Sequence, residues 1–180
     1  NQIDLKNNNN IYIVDSSVYK IFLKNKLNKK FVVVNSSEKN KDYFEIGNIM
    51  KKIISLGIKR NSNLIAIGGG IVQDITGFIA SIIFRGVSWT FYPTTLLAQG
   101  DSCIGGKTSV NFGIAKNQLG NFYPPKKIYL YSAFLKGLKK KDIMSGLGEL
   151  AHYYLISGAK DWKLFNYYLE NFLNKPTNFV

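Results

Sequence analysis

Apolar residues in this chain fall into short runs separated by polar, glycine-bearing turns, and the runs follow two different periods. Residues 11–14 (Ile-Tyr-Ile-Val) and 31–34 (Phe-Val-Val-Val) are unbroken and of strand length, the pattern of strands covered on both faces. Residues 64–67 repeat it, and 87–92, interrupted by Ser88 and Thr90, read as a further strand ending at Pro93. Between these runs the spacing turns helical, over residues 18–27, 43–56 and 72–84. In 43–56, Phe44, Ile46, Ile49, Met50, Ile53 and Ile54 share one face and Gly57 stops the helix. Residues 128–130 complete the series as a last short strand, while residues 7–10 and 113–123 read as loops. Strands alternating with helices predict an α/β fold with a doubly wound, mostly parallel, Rossmann-like sheet.

After Leu138 the pattern is helical only, over 142–156 and 161–173, the latter carrying Trp162, Phe165, Tyr168, Leu169 and Phe172. The change near Gly137 divides the chain into an α/β domain, 1–137, and the start of an all-helical second domain, 138–180. The chain begins at Asn1 without an initiator Met and ends at Val180 shortly after Pro176, with no cap or polar tail; it is expected to be part of a longer protein.

Composition narrows the class. At 180 residues and 46% hydrophobic the chain can bury one substantial core. No apolar stretch approaches the roughly 20 uncharged residues needed to span a bilayer, and no signal-peptide pattern opens the chain, so no membrane is expected. One cysteine, Cys103, excludes an internal disulfide framework and fits a reducing cytoplasm; its plainer role is a small packed residue. The net charge of +13 raises nucleic-acid binding. Its distribution argues against that: lysines lie in scattered pairs and triplets among asparagines, without a zinc-finger, RRM or KH signature. Either a phosphorylated, acidic small molecule or a general Lys/Asn bias accounts for the charge.

The chemistry concentrates after the run 64–67. Gly68-Gly69-Gly70-Ile71-Val72-Gln73-Asp74 sets a tight turn between a strand and a helix N-terminus. Such a turn lets backbone amides approach an anion at the positive end of the helix dipole. By itself the segment is equally a plain turn, because it lacks the G-x-G-x-x-G spacing of the usual dinucleotide motif. Further on, Pro93-Thr94-Thr95 and Asp101-Ser102 lead into Gly105-Gly106-Lys107-Thr108, Asn111 and Lys116-Asn117. Acidic, basic and amide groups converging on glycine turns suit a polyhydroxylated, phosphorylated ligand.

These blocks, GGGIVQD, FRGVSWTFYPTTLLAQGDSCIGGKTSVN, KNQLGNFYPP and GLGEL, occur in the order found in 3-dehydroquinate synthase and the related sugar phosphate cyclases. The chain resembles that family over about residues 38–171. The resemblance implies that Glu38 and Lys41, spaced E-x-x-K, contact the adenosine part of NAD; their plain alternative is a solvated charge pair. It implies that Gly69, Gly70, Ile71, Val72, Gln73 and Asp74 hold the dinucleotide together with Thr94, Thr95, Lys107 and Lys116. Asp101 and Asn117 are similar to residues that contact substrate hydroxyls, Lys107 also to one that neutralises phosphate or carboxylate. Arg85 matches one that reaches the substrate phosphate, for which an Arg fork is suited, or else it is a surface arginine. Glu149 matches the family's carboxylate ligand to a divalent metal, zinc or cobalt, which two histidines of the helical domain complete.

Those histidines are absent, since His152 is the chain's one histidine. It stands where the family usually has lysine, three positions after Glu149, and either alters substrate recognition or packs. Gln73 and Gly137 stand where shikimate-pathway synthases usually carry glycine and threonine. The implied activity is an NAD- and metal-dependent cyclisation of 3-deoxy-arabino-heptulosonate 7-phosphate to 3-dehydroquinate with phosphate elimination, in a cytoplasmic homodimer. The departures keep two alternatives open: another cyclase, of the 2-deoxy-scyllo-inosose or valiolone type, and a non-catalytic NAD-binding module.

Overall fold

In the computed structural model, which describes residues 7–24 and 30–174, the apolar runs become the strands of one parallel sheet. They are β1 (Asn10–Asp15), β2 (Phe31–Val34), β3 (Asn63–Gly68), β4 (Ser88–Pro93) and the short β7 (Lys127–Ile128). Their order is β2-β1-β3-β4-β7, with Ile13 opposite both Val32 and Ala66, and Ala66 opposite Phe91. Every pairing in this sheet is parallel.

The two-residue period of a strand sorts its side chains to opposite faces. Ile11, Ile13, Leu64, Ala66, Trp89 and Phe91 form one core with Ile46, Ile49 and Ile53 of α2 (Tyr43–Ser55) and Val72, Ile75 and Ile79 of α3 (Gly70–Ile82). Tyr12, Val14, Ile65, Ile67 and Tyr92 form the other, with Val18, Leu23 and Phe134. Val18 ends α1 (Ser16–Val18), which continues as a wide π-type turn to Leu23. Helical elements on both faces explain why the strands read as continuous apolar runs rather than alternating ones.

Local chemistry sets the helix ends. The Asp15 carboxylate accepts from the Ser17 and Val18 amides, so the first helix starts two residues before the expected 18. It ends at Lys24, whose backbone is extended; residues 25–27 of the expected helix lie outside the described part, as do both chain ends. Asp42 caps α2 through the Phe44 amide, and Gly57, at φ 75°, follows its end. α3 stops at Ile82, two residues short of expectation, because Phe84 and Arg85 have positive φ in a 3-10 turn. The last strand is Lys127–Ile128 rather than 128–130, although the Tyr129 amide still donates to Phe91 O.

One expectation is corrected outright. Residues 113–123 are not a loop: β5 (Lys107–Phe112) and β6 (Ala115–Phe122) form an antiparallel hairpin. Its inner face is largely polar, which hid it from the apolar pattern. Thr108 and Asn111 are buried with Val110, and Thr108 Oγ1 bonds to Asn121. The hairpin lies on α3, where a Cβ at Gly77 would come within 2.6 Å of Thr108 Cγ2. A short helical turn, α4 (Cys103–Gly105), leads into it; Cys103 is buried, and burial pushes its thiol pKa up.

From Lys140 onward the described chain is helical, α5 (Lys140–Ser157) and α6 (Ala159–Asn174). Leu147 and Phe165 pack with Leu96 from the segment after β4. No described helix is long and apolar enough to cross a membrane.

The hairpin's weakest tolerance is at Gly120, where an added Cβ would lie 1.9 Å from the Thr108 carbonyl oxygen. A backbone atom cannot rotate aside, so Gly120→Ala is expected to destabilise the protein by about 2 kcal/mol or more. Urea denaturation measures this; an unchanged midpoint would show that β5 and β6 pair more loosely than the register requires.

Candidate functional site

From β1 the chain winds outward to β2 on one side and to β3 and β4 on the other. The crevice at the carboxyl ends of β1 and β3 is therefore the switch point at which doubly wound sheets bind ligands. A cleft of about 780 Å³ opens there. Glu38, Lys41, Gly69, Gly70, Ile71, Asp74, Thr94 and Thr95 all line it, which joins most of the residues that the sequence nominated for a dinucleotide. Asp15, at the end of β1, and Ser36, just after β2, line it as well. They were missed, although an acidic residue closing the first strand was a visible signal.

The glycine turn is set by close packing as much as by backbone freedom. A Cβ on Gly68 would lie 2.6 Å from Val72 Cβ, and one on Gly69 would lie 3.0 Å from Thr95 Cγ2. No side chain caps α3. Its first intrahelical bond runs from the Gln73 amide to Gly69 O, so the amides of Gly70, Ile71 and Val72 precede the ladder. They form an amide-rich, positive helix end.

Beside this turn lies a connected polar cluster. Lys41, 5% exposed, pairs with Asp74 at 2.5 Å and donates to Asn117 Oδ1 at 2.6 Å. Asp74 accepts from the Ser109 amide at 3.1 Å, and Ser109 Oγ lies 3.3 Å from Asp74 Oδ2 and 3.0 Å from Asn117 Oδ1. Asn111 Nδ2 donates to Glu38 Oε2 at 2.9 Å and its Oδ1 accepts from the Asn117 amide at 2.9 Å. Asn117 takes φ 56°, a left-handed conformation asparagine tolerates. Lys41 and Glu38 are thus not a solvated charge pair: each is bound into the cluster with residues of the hairpin. Burial raises the Asp74 pKa, outweighing the opposing influence of Lys41 and Ser109.

The other nominated residues lie elsewhere. Val72 is fully buried in the core, and Gln73, 2% exposed, bonds to Ser102; neither lines the cleft. Lys107 and Lys116 are exposed on the hairpin. Arg85 follows the far end of α3, whose 13 residues place it about 20 Å from the glycine turn, and it does not line the cleft.

Asp101 sits in a π-type turn, Ala98–Ser102, where its Oδ1 accepts from the Tyr153 hydroxyl at 2.6 Å. That bond, with lesser help from nearby Glu149, pushes the Tyr153 pKa up to about 12. Tyr153 was also missed. Its signal was its position one turn after Glu149, on the same helix face. Glu149 is partly exposed and His152 is exposed, stacked on Tyr153 with ring centroids 5.9 Å apart. Among the described residues no group of three or more His, Cys, Asp or Glu side chains converges as a metal site.

Residues 31–145 match the family model described as 3-dehydroquinate synthase N-terminal. A curated 3-dehydroquinate synthase of Buchnera aphidicola subsp. Cinara cedri is 41% identical over 98% of this chain, which spans 49% of that relative's length. A crystal structure of 2-deoxy-scyllo-inosose synthase with carbaglucose-6-phosphate, NAD+ and Co2+ superposes with a TM-score of 0.72 at 29% identity, over 81% of this chain and 42% of that one. The 2-epi-5-epi-valiolone synthase of Streptomyces hygroscopicus subsp. jinggangensis, with NAD+ and Zn2+ bound, gives 0.71 at 30% identity, over 78% and 42%.

Two outcomes follow from these contacts. Because the Asp74 pKa is raised from 3.8, its stabilising contribution is complete below that value and is lost as pH rises through the folded value. Lys41→Met removes the cation that restrains the shift and leaves a buried carboxylate unpaired. It is expected to cost about 3 kcal/mol at pH 7, and the gap to the parent should narrow on acidification in thermal melts; a gap independent of pH would assign the loss to packing instead. Separately, Asp101→Asn should return the Tyr153 pKa from about 12 toward 10. Tyrosine-labelled NMR resolves that titration, and an unmoved value would exclude Asp101 as its cause.

Proposed function

Because the chain belongs to the 3-dehydroquinate synthase family, we propose that it forms the cofactor-binding part of an enzyme that cyclises 3-deoxy-arabino-heptulosonate 7-phosphate to 3-dehydroquinate with loss of phosphate. The observation that carries this reading is the switch-point cleft with its glycine turn, in a chain 41% identical to a curated synthase.

NAD fits the residues present. The amides of Gly70, Ile71 and Val72 suit its pyrophosphate, with the Thr94 and Thr95 side chains beside them. Glu38, at the end of the cleft beyond β2, offers carboxylate oxygens to ribose hydroxyls. Bound there, NAD would take a hydride from a substrate carbinol and later return it. The chain's own part is to orient that carbinol and hold charge. Asp101 accepts a substrate hydroxyl, its free lone pairs directed by the Tyr153 hydroxyl. Lys107, exposed at the start of the hairpin, is the cation for the phosphate or carboxylate. Asn117 holds Lys41 in place, so its contribution is to the cofactor side of the cleft.

The solved relatives hold a divalent ion. Here Glu149 supplies one carboxylate, and among the described residues no group of three or more His, Cys, Asp or Glu side chains converges, whereas catalytic zinc generally has three protein ligands. The ion's remaining ligands would come from outside the described residues. We further propose that the enzyme is a homodimer of the cytoplasm.

A second reading, a cyclase for another six- or seven-carbon sugar phosphate, is supported by the two solved relatives and by Gln73, Gly137 and His152. Phosphate release by the full-length protein separates the two, with NAD and a divalent metal each supplied or withheld. Release from 3-deoxy-arabino-heptulosonate 7-phosphate that requires NAD and metal is the expected result. Release only from another sugar phosphate supports the second reading, and NAD binding with no release from either overturns both in favour of a non-catalytic module.

A further inference from the structure

Asp101 lies in a turn that is fastened at two ends by different parts of the fold. At its start, the Ala98 amide donates to Thr95 Oγ1 at 3.1 Å. Gln99 Nε2 lies 3.0 Å from Pro93 O and 3.1 Å from Tyr131 O. These bonds fix residues 98 and 99 to the carboxyl end of β4. At its end, Ser102 is held by Gln73 alone among the side chains of α3: Nε2 donates to Ser102 O at 2.6 Å, and Ser102 Oγ donates to Gln73 Oε1 at 2.7 Å. Gln73 is 2% exposed, so its amide is withdrawn from water while Ser102 faces the cleft. A buried amide with both ends satisfied holds its partner in one geometry.

We propose that Gln73 is a positioning residue: its double hydrogen bond to Ser102 locks the Asp101-bearing turn to the first turn of α3, and so sets the Asp101 carboxylate against the dinucleotide. The proposal rests on the reading of Asp101 given above. It also explains why Gln73 belongs to the site without lining the cleft. The cofactor helix and the substrate turn are separate in sequence, and this amide is the side-chain link that joins Ser102 directly to α3. Glycine or a short side chain at position 73 would remove both bonds to Ser102, leaving it held through its chain neighbours, Gln99 on one side and the buried Cys103 on the other.

The test uses Gln73→Met in the full-length enzyme, which nearly preserves volume while removing both bonds. The expected result is a fall in kcat for phosphate release of about tenfold to a hundredfold, with the NAD Kd within about twofold of the parent. Amide hydrogen exchange at residues 99–102 should quicken while α3 stays protected. Ser102→Thr, which keeps the hydroxyl, should retain most of the rate that Ser102→Ala loses, and this pair decides the matter if Gln73→Met does not fold. Parental kcat in Gln73→Met, or a loss of NAD affinity in step with kcat, would overturn the positioning role. If the parent enzyme releases no phosphate from any sugar phosphate, the functional reading fails on its own. The exchange measurement then decides the clamp, and unchanged protection at residues 99–102 would refute it.

Discussion

The pairing of Lys41 with Asp74 is the interaction around which the site is assembled. An ammonium only 5% exposed needs a counter-charge and hydrogen-bond acceptors nearby. Here Asp74 comes from α3, Lys41 from the 3-10 turn after β2, and the remaining partners, Asn117 and Ser109, from the hairpin. Three segments far apart in sequence are therefore held at one point. A helix whose N-terminus faces the cleft, the strap beside it and the hairpin over it keep a common register because misplacing any one strands a buried charge.

Packing and polarity divide the work. The sheet and its two apolar faces supply cohesion, with Trp89 and Phe91 among the largest fully buried side chains. Those contacts are directionless and tolerate small shifts. The polar cluster is directional, and the tight approaches at Gly68 and Gly69 leave little room for adjustment. Binding geometry at the switch point thus rests on the minority of buried polar groups, while the apolar majority holds the scaffold on which they stand.

The second half of the site follows the same logic at lower burial. The turn Ala98–Ser102 carries Asp101 toward α5, and the close fit of Gly100 against Leu150, where a Cβ would meet Cδ2 at 2.8 Å, brings the two together. Tyr153 then reaches the Asp101 carboxylate. In this way α5 is tied to the turn that carries Asp101.

Much of this was legible in the residues. The strands were visible because a sheet covered on both faces demands runs of apolar side chains, a constraint written locally. The glycine turn was visible for a similar reason: the close approach of Val72 permits nothing larger at Gly68. The hairpin β5–β6 was not visible, because its buried positions Thr108 and Asn111 are satisfied by hydrogen bonds rather than by hydrophobicity, and a polar residue gives no sign of which partner it will meet. Nor did spacing reveal that Lys41 answers to Asp74 and Asn117, that Tyr153 holds Asp101, or that α3 carries Arg85 away from the cleft. The chain by itself determined its apolar strands, most of its helices and the glycine turn between them, since these depend on neighbours along the backbone. Which polar group meets which was decided by the tertiary structure alone, because burial removes water as the default partner and only the packed fold determines what replaces it.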